Sequence, residues 1–474
     1  MPKENNWEAA MDDKKYSQII SEFTLSVNYE DIPLEVIKKA KLCLIDMLGV
    51  IIAAWGEQSS KTLNQIYMKT SGTKESSVLV SGNKMPAFNA ALINGAMAHS
   101  LELEDHHNHK RSLNHPGVTS IPAALAIGER EASSGKDFLL SIILGYEIGS
   151  KISRAIKIGH LNLEQGFHES SVCGPFSSAA VAGRLIGLDV DKLANAFGIC
   201  GSLASGSMEF KTNEAWTKRL QVGNANRNGI LAAELAQKGF TGPISVFEGK
   251  HGFFNSYCGK GNYDLSNWLN DLGVDWDIMY IQFKPFGCAG VLHSAVTCAQ
   301  KLRDENQLYL NDIKNLTVYT SRKIMEEYAS PREQKIRPKN MVGAQFSLQY
   351  CVAAMLVHGQ LLFEEFSEEN IHDSTILDIA SKVIVEVDEK IDSTWPVEDV
   401  TIIECHTNQG SVMKAVVDCA KGDLQNPVTE QELISKYMKL ASVFYSKERC
   451  KDILSACQNI EDISDVNELI ELMI

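Results

Sequence analysis

The sequence is short of the signatures that mark the common catalytic classes. It contains no GxGxxG, no P-loop and no GxSxG, so nothing in it supports a dinucleotide fold, an NTPase or an α/β-hydrolase. HExxH is missing, and the eleven cysteines form no CxxC pair, so neither a zincin helix nor a thiolate zinc site is written into the chain. Positive charge is also scarce. Sixty acidic residues against 45 basic ones give a net charge of −15, and such a surface repels nucleic acid and anionic membranes. Long apolar runs are missing too: LCLIDMLGVIIAAW is too short to span a bilayer and is interrupted by Asp46. The polar start, MPKENNWEAAMDDKKYSQ, has no signal- or transit-peptide pattern. The expectation is a cytoplasmic protein with reduced, mostly buried thiols, binding neither nucleic acid nor membrane.

What is present is enough for a sizeable core: 474 residues, 44% apolar and 22% charged, a length typical of two or three domains. No repeat period stands out. Residues 16 to about 265 read mainly as helix, with apolar residues at three- and four-residue spacing in LEVIKKAKLCLIDMLGVIIAA and KDFLLSIILGYEIGSKISRAI. AFNAALINGAMAHS, SIPAALAIGER and PFSSAAVAGRLIGL are rich in Ala, Gly and Ser, which lets helix backbones approach closely in a packed core. From about residue 275, helices alternate with strand-like runs, KNLTVYTS, KVIVEVDE, DVTIIECHT and SVMKAVVD, with a hairpin turn at Asn408-Gln409-Gly410. The expected fold is mainly α: an all-α domain from residues 1–274 and 406–474, and a smaller α+β lid domain at 275–405.

Four polar clusters stand out. HSLELEDHHNHKRSLNHPG, residues 99–117, holds five of the twelve histidines. If the preceding helix continues through Asp105, His99, Glu102 and His106 share a face, and His115-Pro116-Gly117 makes a helix-breaking turn. A metal site, an acid–base cluster and a solvated loop are all compatible with this stretch. GFHESSVCGPFSSAAVAG places His168, Ser170 and Ser171 before a small-residue helix, as in an anion site at a helix N-terminus or a plain Ser cap. Lys218 and Arg219 precede a Gly-Asn-Ala-Asn turn and, as isolated cations, read as surface residues. Lys284 leaves a strand at FKPFGCAG, ahead of a helix carrying His293. Histidines and lysines on turns that open helices suit a polycarboxylate: Lys and His neutralise its charges, and one His or carboxylate removes a proton from carbon beside a carboxylate, His needing the least tuning for it. Stabilising the enediolate is the main demand.

These motifs, in this order, resemble the MmgE/PrpD family, which includes 2-methylcitrate dehydratases, cis-aconitate decarboxylase and iminodisuccinate epimerase. The resemblance runs from about residue 20 to the C-terminus. It implies a helical domain with an α+β lid, a homodimer, and chemistry without metal or organic cofactor. It also implies roles by position: His115 and His168 as acid–base residues, Glu102 as the acidic residue three after the leading His, and Lys218 and Lys284 as holders of substrate carboxylates. His106 and His293 join them at the substrate, while His107 and His109 are expected on the solvent side. His106 stands where the decarboxylase has Thr, and no counterpart of the decarboxylase's lid-domain Tyr occurs around Gln334–Pro338. The reading is therefore a lyase removing water from a 2-methylcitrate- or citrate-like acid. Epimerisation of an imino- or amino-dicarboxylate and decarboxylation of a cis-aconitate-type acid are the alternatives.

Overall fold

A computed structural model describes residues 14–70, 72–107, 112–305, 308–395 and 398–474. Small residues set the helical layer as expected. Helix α1 (Leu34–Ala54) buries fifteen side chains and α2 (Ala87–Ala98) all but one of its twelve, so both are interior helices. α3 (Gly117–Glu131), α4 (Gly135–Arg154), α5 (Glu169–Leu185) and α6 (Thr217–Gln237) pack with them. The close approach of α2 and α6 is backbone to backbone: a Cβ on Gly223 would sit 2.4 Å from the Leu92 carbonyl oxygen. The Gly-Asn-Ala-Asn stretch is therefore not the turn the sequence suggested but the middle of α6, where small residues are needed for packing.

The first hydrophobic core gathers residues from Ile19 to Phe283 and again from Leu433 to Met473. The C-terminal helix Glu430–Ala441 returns against α1. There Lys436 pairs with buried Asp46 at 2.8 Å and donates to the Leu103 carbonyl at 2.6 Å.

The second core gathers Phe210 and residues from Phe286 to Val417 around a four-stranded sheet. Apart from it, the two-residue strands β1 (His106–His107) and β2 (Ile281–Gln282) pair antiparallel with each other as a separate two-stranded sheet. Within the sheet proper, β3 (Ile313–Thr320) lies parallel to β4 (Val383–Val387) and antiparallel to β5 (Thr401–Thr407), which pairs with β6 (Val412–Val417). The order is β4-β3-β5-β6. Alternate residues of β5 are buried, as one covered sheet face requires. All four strand-like runs are strands, and the hairpin turn holds Gly410 at φ 86°. β6 belongs to this sheet although the sequence reading closed that part at 405: Ala415 and Val417 enter the second core. All eleven cysteines are unpaired and all but Cys419 are buried. Among the described residues no helix is long and apolar enough to cross a membrane.

Candidate active site

The helix does not continue through Asp105. α2 ends at Ala98, His99 caps it, and Glu102 takes φ +55°, a left-handed conformation that costs a non-glycine residue about 1–2 kcal/mol. The turn rotates Glu102, Glu104 and Asp105 inward, each at most 4% exposed. Such strain persists only where the surroundings hold it. Here two lysines do so: Lys218 pairs with Glu102, and Lys284 lies 2.9 Å from Glu104 and 3.4 Å from Glu102. Lys218 also stands 5.2 Å over the Phe346 ring. Lys218 and Arg219 are thus buried, not on the surface. Arg219 bonds Glu57 and Ser59 at 2.9 and 2.7 Å.

Burial pushes Glu104 up, but Lys284, His99 and Lys218 outweigh it and hold the carboxyl well below its ordinary range. Glu102 lies below its usual value for the same reason, with Lys218 the strongest pull against burial. Burial takes Lys218 below its ordinary value, whereas at Lys284 the pull of Glu104 and Glu102 overcomes burial and raises the ammonium.

His115 does not end a helix; Pro116 caps α3 and Gly117 begins it. A Cβ on Gly117 would stand 2.3 Å from Tyr146 Oη and 2.4 Å from Asp105 Oδ1, so only glycine admits the bond from Tyr146 to Asp105 Oδ2, 2.6 Å long. Burial pushes the Asp105 carboxyl up to about 7. The Asp105 carbonyl lies 2.8 Å from His115 Nδ1. A carbonyl only accepts, so Nδ1 carries the hydrogen and Nε2 of neutral His115 carries the lone pair. Burial and Lys284 keep His115 well below the ordinary imidazole value, and its side chain is 18% exposed. This is an accessible, neutral base with a fixed tautomer.

His168 caps α5 rather than preceding it. Its Nε2 faces His99 Nε2 at 3.4 Å, and its Nδ1 faces Gln221 Oε1 at 3.1 Å. The nearby serines are occupied: Ser170 accepts from the His115 amide at 3.0 Å, and Ser171 donates to the Ser205 carbonyl. His106 pairs across β1–β2 with Gln282, and its ring lies 6.1 Å from that of His115. Burial and Lys284 press it down to about 3. His293 is buried against Phe286, its Nε2 without a hydrogen-bond partner, and feels both Lys284 and His106. His107, expected at the solvent side, is fully buried and lies 3.1 Å from Asp277, which also takes Arg154 and Lys151. His109 lies outside the described residues.

Seven predicted residues thus converge near the loop 99–105, and the sequence reading gave no role to three more: His99, Glu104 and Gln221. Gln221 follows Lys218 by three residues on α6 and so shares its face, a spacing that would have found it. A narrow cleft opens here, lined by His99, Glu102, Lys218 and Arg219 on one side and by Val342, Gln345 and Phe346 on the other. Gln345 donates to the Leu101 carbonyl at 2.9 Å. Among the described residues, one group offers clustered ligand-type atoms, His99, Glu104 and His115, within 4.8 Å of one another. A metal ion fits it poorly: the Lys284 ammonium already holds Glu104 Oε1, and His115 Nδ1 carries a hydrogen in place of a lone pair.

The MmgE/PrpD N-terminal domain matches residues 18–266 and the MmgE/PrpD C-terminal domain residues 286–461. The chain is 28% identical over 462 residues to a cis-aconitate decarboxylase-like protein, oryM, of Aspergillus oryzae, covering 94% of each chain. It is 29% identical to a cis-aconitate decarboxylase of Aspergillus terreus, covering 94% of this chain and 93% of that one. With the human cis-aconitate decarboxylase it shares 26% identity, covering 92% and 90%.

Proposed function

Since the chain belongs to the MmgE/PrpD family, we propose that its cleft is the active site of a cofactor-independent lyase acting on a small di- or tricarboxylic acid. The observation that carries this reading is the neutral, tautomer-fixed His115 beside two buried lysines. In the proposed reaction His115 Nε2 takes the proton from carbon beside a substrate carboxylate. Lys218 and Lys284 share their charge with the substrate carboxylates and so stabilise the enediolate. Glu102 and Glu104 hold both lysines in place. A base of this kind contributes roughly 10²–10⁴-fold.

The preferred outcome is dehydration of a 2-methylcitrate- or citrate-like acid: the β-hydroxyl leaves with a proton as water, and the carbon–carbon double bond forms. His106, beside Lys284 and where the decarboxylase has Thr, supports this outcome. Decarboxylation is the second reading, favoured by the names of the relatives. There the bond to one carboxylate breaks, carbon dioxide leaves and the carbon takes a proton. On this reading the second core is the lid of the cleft and the working protein a homodimer, as the resemblance implies, while the acidic charge and scattered thiols speak for a cytoplasmic protein without nucleic-acid or membrane partners.

The test is proton NMR of the chelator-treated protein in D₂O with 2-methylcitrate, citrate, cis-aconitate and iminodisuccinate. A dehydrated product supports the first reading, and carbon dioxide release the second. Deuterium uptake with inverted configuration and no alkene would mean epimerisation. No change with any acid would overturn the lyase assignment.

A further inference from the structure

Two cations, Lys218 and Lys284, are assigned to substrate carboxylates, and each already faces a carboxylate of the protein. A third cation lines the same cleft. Arg219 follows Lys218 on α6, and its side chain is 4% exposed. Its Nη1 donates to Glu57 Oε2 at 2.9 Å and to Ser59 Oγ at 2.7 Å. Its Nη2 donates to Met341 Sδ at 3.5 Å. A thioether sulfur is a weak acceptor, so the charged fork is held strongly on one arm and weakly on the other. Guanidinium N–H groups find their best partners in carboxylates. The sulfur gives way readily, because a methionine side chain turns about three bonds and Met341 stands at the start of the short helix Met341–Gln345.

The surroundings ask for an anion at this arm. α6 runs over 21 residues, yet its first turn carries no acid and Trp216, its N-cap, makes no side-chain cap. The positive end of the helix therefore adds to Lys218 and Arg219 instead of being offset within the helix. The opposite wall brings no charge: Val342 and Phe346 are apolar, and Gln345 Nε2 is engaged by the Leu101 carbonyl. Glu57 faces Arg219, but its side chain is 24% exposed, so water shares its charge.

We propose that Arg219 is a specificity residue: its Nη2 takes a third carboxylate of the substrate in place of the Met341 sulfur, so the cleft selects tricarboxylic over dicarboxylic acids. This rests on the lyase reading for the fate of the acid, with Lys218 and Lys284 on the other two carboxylates. No covalent bond forms or breaks at Arg219. The planar fork serves both partners at once, Nη1 staying on Glu57 and Ser59 while Nη2 takes the ligand.

Two probes without a hydroxyl group isolate the third carboxylate. Propane-1,2,3-tricarboxylate is pentanedioate with one carboxylate added at the middle carbon, and neither can lose water. In calorimetric titration of the full-length protein at low salt, the wild type should bind the tricarboxylate at least about tenfold more tightly. In Arg219→Met the tricarboxylate weakens by about tenfold or more while pentanedioate changes by less than about threefold, so the preference is gone. Arg219→Lys keeps the charge without the fork and retains part of the preference. Glu57→Gln keeps an acceptor for Nη1 and removes its charge, so it tightens the tricarboxylate by a larger factor than pentanedioate. A merely structural role for Arg219 would weaken both probes together; that result overturns the proposal, as does a wild type that binds the two alike or binds neither. If the preference depends on Arg219 but no acid turns over, the lyase reading fails and the assignment of Arg219 stands. If an acid turns over and the preference ignores Arg219, only the assignment falls. If Arg219→Met does not fold, Arg219→Lys and Glu57→Gln, which move the preference in opposite directions, decide it.

Discussion

Lys284→Met tests the charge cluster that the site is built on. The ammonium is 1% exposed, 2.9 Å from Glu104 and 3.4 Å from Glu102. At an effective dielectric of about 20, unit charges at these distances attract by roughly 5–6 kcal/mol each, most of it offset by the cost of desolvating the ions. Removing one partner of a buried pair leaves the other charge stranded and typically costs about 3–5 kcal/mol, the loss expected here at pH 8. The pH dependence carries the sign. In wild type Glu104 titrates below its ordinary value, so it contributes stability above the unfolded pKa, lost as pH falls through the folded one. Without Lys284, burial favours the neutral acid, so the penalty grows as pH rises and shrinks toward pH 5. Urea unfolding followed by circular dichroism at pH 5 and pH 8 measures it, and Lys284→Met/Glu104→Gln should recover at least half of the loss at pH 8. A penalty below about 1 kcal/mol, or one equal at both pH values, would refute the argument.

Burial pushes Glu169, which accepts from Ser153 and from the Leu113 amide, up to about 7 from an ordinary 4.5. A raised carboxyl loses stability as pH climbs from the unfolded value through the folded one. Glu169→Gln should therefore gain about 3 kcal/mol on wild type between pH 5 and pH 8, and parallel pH–stability curves would count against it. Gly117→Ala puts a methyl group on Tyr146 Oη and Asp105 Oδ1 and should cost about 1–3 kcal/mol, read as a lower midpoint in thermal unfolding. Treatment with a strong chelator should leave turnover unchanged; loss of activity restored by zinc or iron would point to a metal at His99, Glu104 and His115.

Much of the fold is legible because long periodic segments record their own burial. LEVIKKAKLCLIDMLGVIIAA coincides with α1 residue for residue, and the four β-rich runs form one sheet. Short-range geometry is harder to read. Glu102 at positive φ is held by lysines 116 and 182 residues away, a long-range effect that local pattern cannot show, so the end of the helix is not legible in the sequence. Gly223 looks like a turn residue in isolation and is a packing residue because α2 lies against it. His107 lies in a polar-looking stretch, and only the pairing of β1 with β2 turns it toward Asp277. Lys218 and Lys284, which carry charge to the cleft, were found by motif; His99, Glu104 and Gln221 have their roles only in three dimensions.

The most direct measurement is deuterium exchange at the carbon beside the substrate carboxylate, catalysed by the chelator-treated protein, in wild type and His115→Asn. Asparagine keeps an N–H for the Asp105 carbonyl but removes the Nε2 lone pair, so fold and binding should survive while the base is gone. The account predicts exchange by the wild type and a fall of roughly 10²–10⁴-fold in the variant, with thermal unfolding unchanged. Exchange at the wild-type rate in His115→Asn would contradict the assignment of His115 as the base.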